Sequence, residues 1–123
     1  MRVLIVDDSV YSIALIGLIV KRKGHEVVGE TKNGEEAAAM IKELKPDIVT
    51  LDNMLNDIDG TDVLAKLEGD FNPNQFIVIS GSYEESVLAE YKKFGITRFL
   101  KKPFEPQELE EALEKAAGSL LTK

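Results

Sequence analysis

The sequence predicts an α/β fold in which β-strands and α-helices alternate along one chain. Short apolar runs rich in β-branched residues alternate with longer segments of helical periodicity, which is typical of parallel sheets built from βα units. Four of the apolar runs end at polar residues. These residues are Asp7-Asp8 after the first run, Asp52 after the third, Ser80 after the fourth and Lys101-Lys102 after the fifth. If the strands are parallel, these groups meet at one edge of the sheet, where open α/β folds place their sites.

Five βα units account for the chain, which predicts one domain over residues 1–123 with no segment left for an output domain. Gly24 and Gly95 are expected to end the first and fourth helices, and Asn33 is expected to cap the second. Ser82 and Glu85 have capping-box spacing for the fourth helix. Strands are predicted at 2–6, 26–31, 48–51, 76–79 and 97–100, and helices at 9–23, 34–44, 61–68, 83–94 and 106–117.

Composition excludes several classes of function. With 44% hydrophobic and 30% charged residues the chain is globular rather than disordered, and without cysteine it has neither disulfides nor thiolate metal sites. The net charge of −7 argues against binding to nucleic acid. The longest apolar run, 13–20, is too short to span a bilayer, and Asp7 interrupts the first apolar run, so no secretory signal is predicted. We therefore expect a soluble, cytoplasmic and monomeric protein.

The first helix is more apolar than a surface helix requires. Its apolar residues point in every direction around a helix of 3.6 residues per turn, so one face can meet the sheet and the rest cannot. Two interpretations remain: a neighbouring helix covers the surplus, or the surplus is an exposed patch that docks a partner. The residues concerned are Val10, Ile13, Ala14, Leu15, Ile16, Leu18, Ile19 and Val20.

The polar strand ends suggest phosphoryl chemistry. If Asp7, Asp8 and Asp52 converge, their mutual repulsion requires a proton or a cation, and oxygen-only ligands favour Mg²⁺ or Mn²⁺. Lys102 and Ser80 would stand opposite the metal, completing a cradle for a phosphoryl group. Asp52 has a whole strand that positions it, and a carboxylate that attacks phosphorus forms an aspartyl phosphate.

Each of these residues also has a simpler interpretation when taken alone. The pair Asp7-Asp8 could cap the first helix, Asp52 could belong to a turn, Ser80 could be a strand-end hydroxyl and Lys102 could be a solvated lysine. Their occurrence at the ends of successive apolar runs favours a shared site.

In its motifs and their spacing the whole chain resembles the receiver domains of two-component response regulators, and among them the stand-alone, CheY-like receivers. The resemblance implies a flavodoxin-like (βα)5 fold with a central five-stranded parallel sheet in the order 2-1-3-4-5. The motifs are Val-Asp-Asp at 6–8, Lys-Pro-Asp-Ile-Val-Thr-Leu-Asp at 45–52, Asp-Gly at 59–60, Ile-Ser-Gly at 79–81 and Lys-Lys-Pro-Phe at 101–104.

The resemblance also implies roles. Asp52 would accept a phosphoryl group from a sensor histidine kinase, and Lys102 would pair with the phosphoryl oxygens. Asp8 and Asp52 would bind Mg²⁺ directly together with the main-chain carbonyl of Met54, while Asp7 would act largely through water. The protein would thus be a phosphoacceptor rather than an enzyme with turnover, apart from its self-catalysed phosphotransfer and slow autodephosphorylation.

Further implications concern the switch. Ser80 would move to bond the phosphate, the Phe99 ring would swing inward behind it, and the bond between Lys102 and Pro103 would be cis. The face built from the fourth helix, fifth strand and fifth helix would then change its affinity for an output protein, such as a flagellar switch component in chemotaxis.

Two alternative functions use related chemistry. A phosphorelay carrier would pass the phosphoryl group on to a histidine phosphotransfer protein. A Mg²⁺-dependent phosphatase with an aspartate nucleophile would carry a second aspartate two residues on as general acid, but Met54 stands there. Met54 also offers no side-chain hydrogen-bonding group to an attacking water, so we expect the phosphorylated form not to be unusually short-lived. A dinucleotide site is disfavoured because the turn after the first strand lacks the glycine-rich fingerprint.

Overall fold

The computed structural model describes residues 1–81 and 84–121, and its centre is a five-stranded parallel sheet. The strand order is β2-β1-β3-β4-β5, so the predicted flavodoxin-like fold is confirmed. The strands are β1 (Arg2–Val6), β2 (Glu26–Thr31), β3 (Ile48–Leu51), β4 (Phe76–Ser80) and β5 (Phe99–Lys101). The helices are α1 (Val10–Arg22), α2 (Gly34–Leu44), α3 (Gly60–Lys66), α4 (Glu85–Lys93) and α5 (Pro106–Leu121).

The helices cover both faces of the sheet. One core cluster joins the sheet to α1 and α5 through residues such as Ile16 and Leu113. The other joins it to α2, α3 and α4 through residues such as Ile41, Leu64 and Tyr91. β3 and β4 are buried along their whole length because both faces are covered, which explains why they appear in the sequence as mainly apolar runs, with Thr50 inside β3 and Ser80 at the end of β4 as their polar residues.

The register of the sheet aligns the strand ends that carry the polar residues. Val6 of β1 lies beside Leu51 of β3, and the Asp52 N–H donates to the Val6 carbonyl at 2.9 Å. On the other side Ser80 of β4 lies beside Lys101 of β5, and the Lys102 N–H donates to the Ser80 carbonyl at 2.9 Å. These backbone hydrogen bonds place Asp52 beside the end of β1 and Lys102 beside the end of β4.

Most helix boundaries follow the local signals. Gly24 and Gly95 adopt φ values of 83° and 85° just after α1 and α4, as expected of residues that end helices. α5 is four residues longer than predicted, and β5 is shifted two residues towards the C-terminus at its start. A 3-10 helix over Pro73–Gln75 was not predicted. The expected capping role of Ser82 lies outside the described residues.

Asn33 is the N-cap residue of α2, as predicted, but the expected side-chain capping bond is wrong. Asn33 precedes α2, but its side chain makes no capping hydrogen bond. Asp57, from the loop after β3, accepts instead from the Gly34 N–H at 2.7 Å and the Glu35 N–H at 3.0 Å. These bonds hold the pKa of the Asp57 carboxyl below its usual range. Asp57, which is distant in sequence, therefore caps α2 and connects this helix to the loop that follows Asp52.

α1 keeps part of its apolar surface exposed. Ile13, Ile16, Ile19 and Val20 are buried, whereas Val10, Leu15 and Leu18 are exposed, Leu18 by 63%. α5 flanks α1 through charged residues, including an ion pair of 2.7 Å between Arg22 and Glu110. Of the two interpretations of the first helix, the structure therefore supports an exposed patch, which we call the α1 patch: Val10, Leu15 and Leu18.

Within the described ranges 1–81 and 84–121, every helix is too short or too polar to cross a bilayer.

Candidate functional site

Three carboxylates meet at the C-terminal edge of the sheet. Oxygen atoms of Asp7, Asp8 and Asp52 all lie within 4.8 Å of one another. Asp7 and Asp52 are only 1% and 4% exposed, whereas Asp8 faces solvent. The cluster forms because β1 and β3 are adjacent and in register, which places the residues after Val6 and Leu51 side by side.

Lys102 joins the two buried carboxylates. Its Nζ donates to Asp7 Oδ2 at 2.7 Å and to Asp52 Oδ2 at 3.2 Å. Burial acts to lower the pKa of Lys102, but the hydrogen bonds and charges of the two aspartates outweigh burial and raise it. The lysine is therefore a fixed cation beside the Asp52 carboxylate.

The Asp52 carboxylate remains in an environment of net negative charge, even though Lys102 is bonded to it. Burial, followed by the charge of Asp7, raises the pKa of Asp52 to about 6, against the opposing effect of Lys102. At neutral pH the carboxyl group is mainly ionised and can act as a nucleophile. The same excess charge means that an additional cation would be bound favourably.

The other predicted residues surround this cluster. Ser80 is 1% exposed at the end of β4, and Phe99 is half-buried at the start of β5. The peptide bond between Lys102 and Pro103 is cis, as expected. The exposed Met54 follows Asp52 by two residues, and its N–H donates to Asp52 Oδ1 at 3.3 Å.

The donor set fits a hard divalent cation. Three carboxylates supply only oxygen ligands, which is the chemistry that Mg²⁺ and Mn²⁺ prefer in proteins. Two of the carboxylates share a single ammonium group, so part of their negative charge is not neutralised by the protein. Exposed Asp8 leaves one side of the cluster open to water or to a phosphoryl group.

The raised pKa of Asp52 predicts an unusual pH dependence of stability. Because the folded protein binds this proton more tightly than the unfolded chain does, the metal-free protein should lose stability as pH rises from about 4, through the folded pKa of about 6, to about 7, by roughly 2 kcal/mol. Urea unfolding in EDTA should show a loss on the order of 1 kcal/mol between about pH 5 and about pH 7. Excess Mg²⁺ should stabilise the protein more at the higher pH, because protons compete with the metal.

The Asp52→Asn variant is the control for this prediction, since it lacks the titrating carboxyl and should therefore not show this loss of stability between about pH 5 and about pH 7. An unchanged pH slope in the variant would contradict the assignment of the effect to Asp52.

A second group of residues adjoins Asp52 and was not predicted from sequence. The Tyr91 hydroxyl donates to Asn53 Oδ1 at 2.7 Å, and the Gly60 N–H donates to the Asn53 carbonyl at 2.8 Å. In the sequence, Tyr91 is indistinguishable from any other apolar residue of an amphipathic helix. The Asp-Gly pair at 59–60 is recognisable in the sequence only as one of the receiver-domain motifs.

Comparisons with known proteins agree with this geometry. A family model of the response regulator receiver domain matches residues 3–114. The chemotaxis protein CheY of Thermotoga maritima is 39% identical over 117 residues, which cover 94% of this chain and 97% of that protein. The crystal structure of the response regulator domain of Thermotoga maritima CheB gives a TM-score of 0.82 at 28% identity, covering 100% of this chain and 98% of that one. A CheY from Borrelia burgdorferi, solved with CheX, BeF3 and Mg²⁺, gives 0.83 at 28% identity over 99% of this chain and 90% of that chain.

Proposed function

Because the chain belongs to the family of response regulator receiver domains, we propose that it is a signalling switch that accepts a phosphoryl group on Asp52 from a sensor histidine kinase. The observation that carries this proposal is the buried Asp52 carboxylate bonded at 3.2 Å to Lys102, with two further carboxylates beside it. A nucleophile, a fixed cation and a cation-binding cluster at one sheet edge are the groups that phosphoryl transfer to an aspartate requires.

The proposed reaction uses the side chains already in place. An Asp52 oxygen attacks phosphorus while the bond from phosphorus to the histidine nitrogen breaks, and the electron pair of that bond stays on the imidazole. Lys102, freed from its bond to Asp52 by the new phosphoryl group, pairs with a phosphoryl oxygen, and Ser80 donates its hydroxyl to another. A pKa of about 6 leaves Asp52 mainly ionised at neutral pH, as a nucleophile must be.

We assign the metal site to the same cluster. Asp8 and Asp52 would hold Mg²⁺ directly with the main-chain carbonyl of Met54, and Asp7 would act largely through water. When bound, Mg²⁺ neutralises the phosphoryl oxygens and orients them for in-line attack. The relative from Borrelia burgdorferi was solved with Mg²⁺ and BeF3, which supports this assignment.

The proposed output follows from the residues behind the site. Ser80 would move towards the phosphoryl group, Phe99 would turn inward, and the face formed by α4, β5 and α5 would change its affinity for an output protein, as in chemotaxis. That the chain acts as a stand-alone receiver, with its output on a separate protein, remains a prediction.

The experiment that tests this function is phosphotransfer from candidate kinases in Mg²⁺, compared between the wild type and Asp52→Asn. We expect rapid labelling of the wild type and none of the variant. If added histidine phosphotransfer protein removes the label from Asp52, the protein is a phosphorelay carrier. Retention of the label, with phosphorylation-dependent binding to an output protein, favours the switch. Sustained hydrolysis of a phosphate monoester would instead favour the phosphatase alternative.

The α1 patch suggests where the phosphodonor protein docks. It adjoins an open groove of about 370 Å³ that reaches the site. The groove is lined by Tyr11, Ser12, Leu15, Lys102, Pro103 and Phe104. A partner that covers this exposed apolar surface would therefore lie next to the phosphoryl-binding lysine.

We expect Leu18→Glu to slow phosphotransfer from the cognate kinase about tenfold, because it places a charge in an apolar interface. Labelling by acetyl phosphate, which needs no docking surface, should not change. The matched control is Leu121→Glu at the end of α5, which is also an exposed leucine and should leave both rates unchanged. Equal effects of the two substitutions on the kinase reaction would exclude the α1 patch as the docking surface.

Met54 should influence the lifetime of the aspartyl phosphate. Its side chain is exposed beside Asp52 and offers no group that can orient an attacking water. We expect Met54→Asn or Met54→Glu to accelerate autodephosphorylation severalfold, measured as loss of label after removal of the donor. An unchanged rate in both variants would show that this position does not limit hydrolysis.

A further inference from the structure

Tyr91 connects α4 to the residue that follows the phosphoacceptor. It is among the largest fully buried side chains in the described part of the chain. Its hydroxyl donates to Asn53 Oδ1 at 2.7 Å, and Asn53 directly follows Asp52. A hydroxyl buried without a partner is unfavourable, so this bond fixes the position of both side chains.

The segment after Asp52 is held from several sides. The Gly60 N–H donates to the Asn53 carbonyl at 2.8 Å, and the Asp52 N–H donates to the Val6 carbonyl at 2.9 Å. A methyl group at Gly60 would stand 2.7 Å from the Asp52 carbonyl oxygen and would overlap the Tyr91 hydroxyl. Tyr91, Gly60 and the end of β3 are therefore in direct contact.

The ring of Tyr91 also reaches the opposite side of the site. It meets the ring of Phe99 edge to face, with 6.0 Å between the ring centroids and 72° between the planes. A single side chain of α4 thus contacts both β5 and the segment that begins at Asp52. The hydrogen bond from Tyr91 to Asn53 therefore links α4 directly to that segment.

We propose that Tyr91 is a positioning residue, whose hydroxyl holds Asn53 and thereby fixes the segment from which Asp52 and the Met54 carbonyl reach Mg²⁺. This inference rests on the proposed function and extends it. A ligand set held in its binding geometry loses less conformational freedom when the cation binds, so affinity for the cation is higher. Tyr91 touches none of the reacting atoms and acts only through Asn53.

Calorimetric titration with Mg²⁺, in the absence of any phosphodonor, tests this role. Tyr91→Phe keeps the ring and removes the hydroxyl, and Asn53→Ala removes the acceptor. We expect either substitution to raise the Kd for Mg²⁺ about fivefold, as expected for one lost hydrogen bond. The double variant should be little worse than either single variant, because both remove the same interaction. An unchanged Kd in Tyr91→Phe, or fully additive losses, would overturn the proposal.

The kinetics of labelling by acetyl phosphate separate positioning from a general loss of stability. In Tyr91→Phe the Mg²⁺ concentration for half-maximal labelling should rise, while the rate at saturating Mg²⁺ should stay close to that of the wild type. The control is Phe94→Leu at the C-terminal end of α4, three residues after Tyr91, which weakens packing against Phe71 without touching the Tyr91 hydroxyl and should leave the Kd for Mg²⁺ unchanged. An equal increase of the Kd in Phe94→Leu would assign the effect to stability and overturn the proposal.

The outcomes distinguish this inference from the function on which it rests. If the wild type binds Mg²⁺ but is not labelled on Asp52, the proposed function fails and the titrations still decide the role of Tyr91. If the wild type is labelled and Tyr91→Phe retains its Mg²⁺ affinity, only the role of Tyr91 fails. A wild type that binds no Mg²⁺ would overturn both.

Discussion

Replacing Gly60 by alanine is expected to destabilise the protein by roughly 3 kcal/mol and to lower its Tm by about 10 °C. An added Cβ would lie 2.7 Å from the Asp52 carbonyl oxygen and 3.2 Å from Asn53 Cα, and it would overlap the Tyr91 hydroxyl. Two of these neighbours are backbone atoms and the third belongs to a fully buried ring, so none can move freely. Thermal and urea unfolding of Gly60→Ala measure the effect.

Gly118→Ala is the matched control because it makes the same change inside α5, where an added Cβ meets nothing within 4 Å. There we expect a stabilisation of about 0.5 kcal/mol from the higher helix propensity of alanine. Adding Tyr91→Phe to Gly60→Ala should recover part of the lost stability, since it removes one of the overlaps. A Gly60→Ala protein as stable as the wild type would contradict the close packing of α3, α4 and the end of β3.

Replacing Lys102 by alanine is expected to have two large effects. In EDTA at neutral pH, the loss of the only ammonium group bonded to Asp7 and Asp52 in the described structure should destabilise the protein by roughly 3 kcal/mol, because it leaves two buried like charges without their cation. Phosphotransfer should fall strongly, since within residues 1–81 and 84–121 Lys102 is the one side-chain cation paired with Asp52, and Mg²⁺ alone would then have to neutralise the phosphoryl oxygens.

The pH and metal dependence of this variant identify the cause. At about pH 5 the destabilisation should shrink, because protonation of Asp52 removes one of the charges. Excess Mg²⁺ should restore much of the stability of Lys102→Ala but not its phosphotransfer. The neighbouring exposed Lys101 offers a control, since Lys101→Ala should change stability by less than about 0.5 kcal/mol. Equal behaviour of the two variants would show that Lys102 is not a component of the site.

The positions of the strands were predictable because each strand is an apolar run that ends at polar or turn-forming residues in the sequence. Ile48–Leu51 and Phe76–Ser80 are buried on both faces, so they form apolar runs that end where the sheet ends. Once the strands are parallel, the residues after β1, β3 and β5 must meet at one edge, and this brought Asp7, Asp52 and Lys102 together as predicted. The order of the strands came from the family resemblance and not from the pattern.

Interactions between distant residues were not predictable from local signals. Asn33 has the residue type and position of a helix cap, yet Asp57 makes the capping bonds because the loop after β3 passes the start of α2. Tyr91 occupies an ordinary core position of α4, and only the tertiary fold shows its hydroxyl beside Asn53. The exposure of the α1 patch likewise depends on how far α5 covers α1.

We propose above all that the buried carboxylate of Asp52 is the phosphoacceptor, in a site that depends on a divalent cation. Its most direct test is the mass of the intact protein after incubation with acetyl phosphate, followed by mapping of the modified residue. We expect one phosphoryl group on Asp52 in the presence of Mg²⁺ and none in EDTA or in Asp52→Asn. Equal labelling of Asp52→Asn would exclude Asp52 as the phosphoacceptor, and labelling that does not depend on the metal would exclude a role for the divalent cation.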